Sequence, residues 1–260
     1  MPDLPAKKSL GQHWLDDTAS LEGICQAADI QPDDTILEIG PGPGSLTKLL
    51  VKKAGRVIAV EFDTNLAADL PSRVKADNLE VIEQDILSFY LTSLPQDYKI
   101  VANIPYYLTS NLIRAISETP NPPASATILV QKEVAQRVAA EPGAMSILSV
   151  TAQFYWQVGL GQIVPAELFT PPPKVDSQVL LLNRRPELLF PDVDTKTFFR
   201  LVKAGFAQRR KTLLNSLSSG LHIDRDKVED ICQQANIEPA RRPQTLSLKE
   251  WHQIYQVINP

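Results

Sequence analysis

At 260 residues the chain is long enough to bury a full core, and it suits one α/β domain plus a smaller appendage. Hydrophobic residues at 43% and charged residues at 22% are ordinary for a globular protein, and no apolar run approaches the roughly 18 residues of a membrane span, which excludes a membrane-spanning helix. The net charge of −4 argues against nucleic acid as a partner of the whole chain, yet residues 195–260 hold 11 Lys and Arg against 6 Asp and Glu, while the remainder holds 15 against 24. A basic module joined to an acidic one has the balance of a polyanion-binding appendage, or of a helical domain with a solvated basic face.

The first residues lack both a signal-peptide core and a transit-peptide pattern, which predicts a cytoplasmic location. A basic loop is followed by an amphipathic helix over 18–28, with Leu21, Ile24, Cys25 and Ala28 at helical spacing. Strands are predicted at 35–39, 56–60, 79–82, 98–102 and 127–130, with helices after the first, second and fifth. This alternation implies a mainly parallel sheet covered on both faces. A long strand at 177–182 ends the sheet in an antiparallel pairing, and the composition around Pro186 to Pro191 reads as a linker. Helices then follow near 197–206, 211–217, 227–235 and 247–257, with Asp224 and Ser247 placed to cap the last two. Cys25 and Cys232 lie far apart without metal-ligand spacing, so buried free thiols are expected and no metal site is.

Three features along the sheet carry chemistry. Gly40-Pro41-Gly42-Pro43-Gly44 follows the first strand and opens a helix, where glycines allow a tight turn and close approach to a ligand. Glu61 follows the second strand, 21 residues after Gly40, where a carboxylate accepts ribose hydroxyls, and the alternative is a solvated strand-end acid. Asp85 follows the third strand and suits an adenine amino group, a helix N-cap, or both. No nicotinamide site and no phosphate-binding lysine motif is found, which disfavours dinucleotide and nucleotide-hydrolysing enzymes.

Asn103-Ile104-Pro105-Tyr106, at the end of the fourth strand, specifies what happens beside that nucleotide. The exocyclic nitrogen of adenine has its lone pair delocalised into the ring. Two acceptors, the Asn103 amide oxygen and the Ile104 carbonyl, can hold its hydrogens and draw it toward tetrahedral geometry, Pro105 fixing the backbone. Tyr106 offers a ring on which a splayed base stacks. An ordinary turn is the bland alternative.

With Gly11-Gln12-His13-Trp14-Leu15, Glu61-Phe62-Asp63, Gln84-Asp85, Gln131-Lys132-Glu133-Val134, Phe169 to Ser177 and Phe206 to Thr212, these segments make the chain resemble the ribosomal RNA adenine N6,N6-dimethyltransferases, in particular their small-subunit branch. The resemblance spans residues 8 to about 251. It implies a Rossmann-like S-adenosylmethionine-dependent methyltransferase sheet with a small C-terminal all-helical domain, divided as 1–190 (catalytic) and 191–260 (RNA-binding). It implies an S-adenosyl-L-methionine site of His13, Leu15, Gly40, Glu61, Asp85 and Asn103. Asn103 and Ile104 then hold the target amine, Tyr106 stacks on the base and Phe169 closes its other face. His13 and Trp14 depart from the Asn and Phe usual in the family, and a neutral imidazole still offers one hydrogen bond. The implied substrate is a pair of adjacent adenines in a hairpin loop near the 3′ end of small-subunit RNA, within an immature 30S subunit, with no membrane partner and a monomeric enzyme.

Lys7, Lys8, Lys174, Arg184, Arg185, Arg200, Lys203, Arg209, Arg210 and Lys211 supply cations for RNA phosphates, which give salt-dependent affinity rather than sequence reading. Of these, Lys174, Arg184, Arg209, Arg210 and Lys211 are the expected RNA contacts. Competing expectations are large-subunit dimethylation of the resistance type, DNA adenine methylation, and a non-catalytic assembly factor.

Overall fold

Three short apolar runs, Ile36-Leu37, Val57 to Val60 and Ile100 to Ala102, are almost wholly inaccessible to water. Strands buried on both faces belong at the centre of a parallel sheet covered by helices. The computed structural model describes residue 7, residues 10–208 and residues 210–259, so Lys8 and Arg209 lie outside the described residues. Its strands are β1 (Trp14–Leu15), β2 (Thr35–Ile39), β3 (Arg56–Glu61), β4 (Leu79–Glu83), β5 (Lys99–Asn103), β6 (Ser125–Gln131), β7 (Trp156–Val164), β8 (Phe169–Thr170) and β9 (Ser177–Arg184). Its helices are α1 (Thr18–Ala27), α2 (Thr47–Lys53), α3 (Thr64–Val74), α4 (Thr109–Glu118), α5 (Lys132–Val138), α6 (Ile147–Tyr155), α7 (Thr195–Phe206), α8 (Leu213–Leu221), α9 (Arg225–Gln234) and α10 (Leu248–Ile258).

Seven strands form one sheet in the order β4-β3-β2-β5-β6-β9-β7. Strands β2 to β6 pair in parallel, and β9 runs antiparallel to both β6 and β7. From β2 the chain winds outward through β3 and β4, then returns to the other side of β2 as β5. The strand order therefore reverses between β2 and β5, and at such a reversal a crevice opens at the carboxyl ends of the strands. The glycine loop follows β2 and Asn103 ends β5, so both reach that crevice. A separate pair, β1 with β8, joins Trp14 to Thr170 and Leu15 to Phe169.

The described chain divides into two compact units, one running to Gln136 and including Trp156–Arg184, the other made of Arg137–Tyr155 and the residues from Arg185 onward. The cut expected at residue 190 leaves out 137–155, which packs with the helical unit. Met145, Val150 and Phe154 are buried in that unit's core, Phe154 stacking on Phe198 with ring centroids 5.2 Å apart. The amides of Gly143 and Met145 both donate to the Gln244 carbonyl. Truncating a core phenylalanine of this kind costs about 3–5 kcal/mol.

Helix starts follow local chemistry. Ser247 and Glu250 form a reciprocal capping box on α10, whereas Asp224 stands at the start of α9 without a side-chain cap bond, contrary to expectation. Strand β7 and helices α4 and α6 were not predicted; Gly159 and Gly161 dilute the strand pattern of β7. Cys25 and Cys232 are buried free thiols, and burial pushes each up to about 11.

Candidate active site

The cleft at the strand-order reversal encloses about 780 Å³ of space open to solvent. Its walls come from the N-terminal segment, the glycine loop, the end of β3 and Asn103 to Tyr107. A second recess of about 520 Å³ is lined by Asp85 and shares Gly40, Glu61, Phe62, Pro105 and Tyr107 with the first. The two recesses share that wall, with Asp85 lining only the second and Asn103 only the first.

Glycine is required on the floor by geometry. Gly40 has φ +65° and Gly42 φ +54°, left-handed values that a side chain rarely adopts. A Cβ on Gly42 would also lie 2.6 Å from the Trp14 ring. The bare loop lets the Gly42 amide donate to Glu61 Oε2 at 3.1 Å, and Glu61 Oε1 accepts from its near neighbour Asp63 N at 2.9 Å. Glu61 is 6% exposed, so it is no solvated strand-end acid. Burial raises its carboxyl above the usual range, opposed by those amides. A carboxylate has about four lone-pair sites, so it keeps capacity for a ligand.

Asp85 is exposed, and its Oδ1 accepts from Leu87 N at 3.0 Å, capping a short turn at Ile86–Ser88. Both sequence readings of Asp85 are therefore compatible with its position. Leu15 is buried against the cleft, and His13 is half-buried with Nδ1 2.7 Å from the Pro171 carbonyl. A carbonyl only accepts, so His13 Nδ1 carries the hydrogen; in the neutral ring Nε2 is then an acceptor.

Asn103 is half-buried on the cleft wall, and among the described residues its side-chain amide has no hydrogen-bond partner. Ile104 is 2% exposed, which fixes the backbone carrying its carbonyl. Tyr106 is held twice: its hydroxyl lies 2.7 Å from Ser177 Oγ and its ring stacks on His13 at 5.8 Å. Burial pushes the phenol above its ordinary range. Phe169 is placed differently. It is 3% exposed, belongs to a core cluster with Leu15, Val101 and Val179, and does not line the cleft.

Sequence reasoning assigned no role to Gln12, Phe62 or Tyr107, all of which line the cleft. Gln12 is buried and accepts from the Lys7 backbone, while the Lys7 ammonium sits 2.7 Å from Asp63. That cation is engaged, and among the described lining residues there is no Lys or Arg. A pyrophosphate would meet carboxylates here without a counter-charge, whereas a glycine cradle, acidic acceptors and the absence of cations suit an adenosine that carries positive charge.

The described RNA-contact candidates, which leave out Arg209, lie on the surfaces of their own units. Lys174 is exposed, and Arg184 is exposed but engaged by Asp97 at 2.5 Å and the Pro122 carbonyl at 3.1 Å. In the helical unit Arg200, Lys203, Arg210 and Lys211 are exposed, and Arg185 donates to the Gln153 carbonyl.

An open α/β sheet with its cleft at the strand-order reversal, lined by Gly40, Glu61 and Asn103, has the architecture of a Rossmann-like methyltransferase. The model of the family described as ribosomal RNA adenine dimethylase matches residues 4–259, and the chain belongs to that family. It is 43% identical to the ribosomal RNA small subunit methyltransferase A of Dehalococcoides mccartyi, over 95% of this chain and 87% of that one. Identity is 39% to the protein of the same name from Bacillus cytotoxicus, over 98% and 91%. Among solved structures it resembles a dimethyladenosine transferase from Plasmodium falciparum (TM-score 0.80, 25% identity, 94% and 97% covered) and the 23S rRNA methyltransferase ErmE (0.76, 27%, 95% and 100%).

Proposed function

We propose that this protein transfers methyl groups from S-adenosyl-L-methionine to N6 of two adjacent adenines in a hairpin loop near the 3′ end of small-subunit (16S) ribosomal RNA, giving dimethyladenosines. It acts as a cytoplasmic monomer on the immature 30S subunit and so serves small-subunit biogenesis. One observation carries the reading: Asn103, Ile104 and Tyr106 line the same cleft as Gly40 and Glu61.

The cofactor supplies an electrophilic methyl carbon on a sulfonium. Gly40 lets the backbone approach the nucleoside, Glu61 accepts the ribose hydroxyls, and Asp85 accepts the adenine amino group. Leu15 gives an apolar wall and His13 Nε2 a single acceptor. Asn103 Oδ1 and the Ile104 carbonyl hold the two hydrogens of the target amine, which makes the nitrogen lone pair available. Tyr106 receives the base on the face that His13 leaves open. Phe169 reaches the opposite face only by leaving its core position, so Tyr106 carries most of the stacking. No strong base is needed, because the methylated ammonium formed in the step sheds its proton readily. Positioning and acceptors matched to developing charge supply the catalysis. Lys174, Arg209, Arg210 and Lys211 meet RNA phosphates, with Arg184 contributing less because Asp97 already engages it.

Labelled cofactor offered with undermethylated small subunits, large subunits or DNA tests the reading. Label is expected in small-subunit RNA alone. The fold shared with ErmE makes large-subunit RNA the second reading, and label confined to it would overturn the first. An absence of transfer to all three would favour a non-catalytic assembly factor.

A further inference from the structure

Glu38, next to last in β2, is 1% exposed on the cleft floor, and its Oε2 has no hydrogen-bond partner among the described residues. A buried carboxylate without a partner is costly. Such an oxygen belongs either to a neutral acid or to an anion awaiting its counter-charge.

The groups facing it come from four elements. Glu61 at the end of β3 opposes a second negative charge beside it. Thr47 of α2 lies close enough to favour the anion, though its Oγ1 makes no hydrogen bond of acceptable geometry. The buried Cys25 thiol of α1 senses the Glu38 charge. His13, in the segment before β1, lines the same cleft. No Lys or Arg is among the described lining residues. Burial pushes the Glu38 carboxyl up to about 8, with Thr47 opposing and Glu61 adding to the rise.

We infer that Glu38 is a neutral acid in the ligand-free cleft, gives up its proton when a sulfonium ligand enters, and thereby favours the charged methyl donor over its neutral thioether product. This rests on the proposed use of S-adenosylmethionine. The balance closes around the catalytic cycle. Donor binding releases one proton from Glu38. During transfer the S–CH3 electron pair goes to sulfur, the N–CH3 bond forms, and the new ammonium gives one proton to solvent. With the sulfonium charge gone, Glu38 recovers a proton and the thioether faces a neutral acid, which eases its exit.

Calorimetric titration of the full chain at about pH 7, in buffers of different ionisation enthalpy, counts these protons. S-adenosylmethionine is expected to release about one proton and S-adenosylhomocysteine clearly less, because linkage ties release to the change in the acid's ionisation. Glu38→Gln, checked for folding by its thermal melt, should abolish the difference in release and shrink the donor-over-product preference by about tenfold, the factor of one pKa unit. Equal proton release from the wild type and Glu38→Gln would overturn the inference, as would donor binding by the wild type with no release. A wild type that binds no donor overturns the functional reading as well. Should Glu38→Gln fail to fold, the wild type alone decides: release that fades between about pH 7 and pH 9 supports the assignment, and release independent of pH refutes it.

Discussion

Acids in the α/β unit and bases in the helical unit are handled in opposite ways. Glu38 and Glu61 are taken out of water, at 1% and 6% exposure, and are shaped around a cleft before any ligand arrives. Arg200, Lys203, Arg210 and Lys211 stay in solvent, Arg200 beside an open recess of the helical unit. A small cationic ligand is bound best by desolvated acceptors in fixed places, because each is worth more in a low dielectric. A large polyanion is bound by many mobile cations whose value lies in counterion release. The cleft therefore fails residue by residue, while the basic surface fails gradually.

The largest effect should come from Asn103→Ala. Losing one acceptor for the developing charge is expected to cut kcat about 100- to 1000-fold, measured by methyl incorporation into small subunits. A loss below tenfold would remove Asn103 from the chemistry. Glu61→Ala should weaken cofactor binding about tenfold to a hundredfold, since a hydrogen bond to a charged group is worth roughly 1.5–3 kcal/mol. RNA affinity should be unchanged, and equal loss of both in titrations would contradict the separation of the two surfaces.

Charge reversal at Arg210 and Lys211 should act the other way. RNA affinity is expected to drop, with a shallower salt dependence by about 0.7 to 0.9 in log–log slope per lost phosphate contact, and cofactor affinity should hold. A pH experiment sharpens the contrast. Glu38 is raised on folding, so its contribution to stability is complete below its unfolded value and is lost as pH rises toward about 8. Glu61, also raised by burial, acts in the same direction. Ligand-free protein should melt lower at pH 8 than at pH 5, by up to about 1.4 kcal/mol per pH unit from Glu38, and Glu38→Gln should flatten the slope. The smallest effect belongs to Tyr106→Phe. It removes only the bond to Ser177, worth about 1 kcal/mol, and leaves the ring, so activity should fall less than tenfold while Tyr106→Ala falls further.

Much of this was legible in the linear chain because it depends on local chemistry. The central strands are near-continuous apolar runs, the glycines announce a loop that needs left-handed backbone, and Ser247 with Glu250 spells a cap over four residues. The spacing from Gly40 to Glu61 is set by one helix and one strand, so it survives as a count. Phe169 shows where such reading stops. The resemblance gave this aromatic, just ahead of Pro171 to Pro173, a stacking role, and only the β1–β8 pairing shows it buried beside Leu15. Segment 137–155 shows the same limit, since its allegiance to the helical unit depends on an aromatic cluster assembled from residues far along the chain.

The sequence by itself determined the alternating α/β plan, the glycine turn and the Asn103-to-Tyr106 segment that ends β5, because each is written in neighbouring residues whose backbone preferences are local. Only the tertiary structure decided that, among the described residues, Glu38 Oε2 has no hydrogen-bond partner, that Lys7 is spent on Asp63 and that the cleft has no cation of its own. Those are properties of desolvation and of which charges face one another, and they come into being when strands from different parts of the chain are laid side by side.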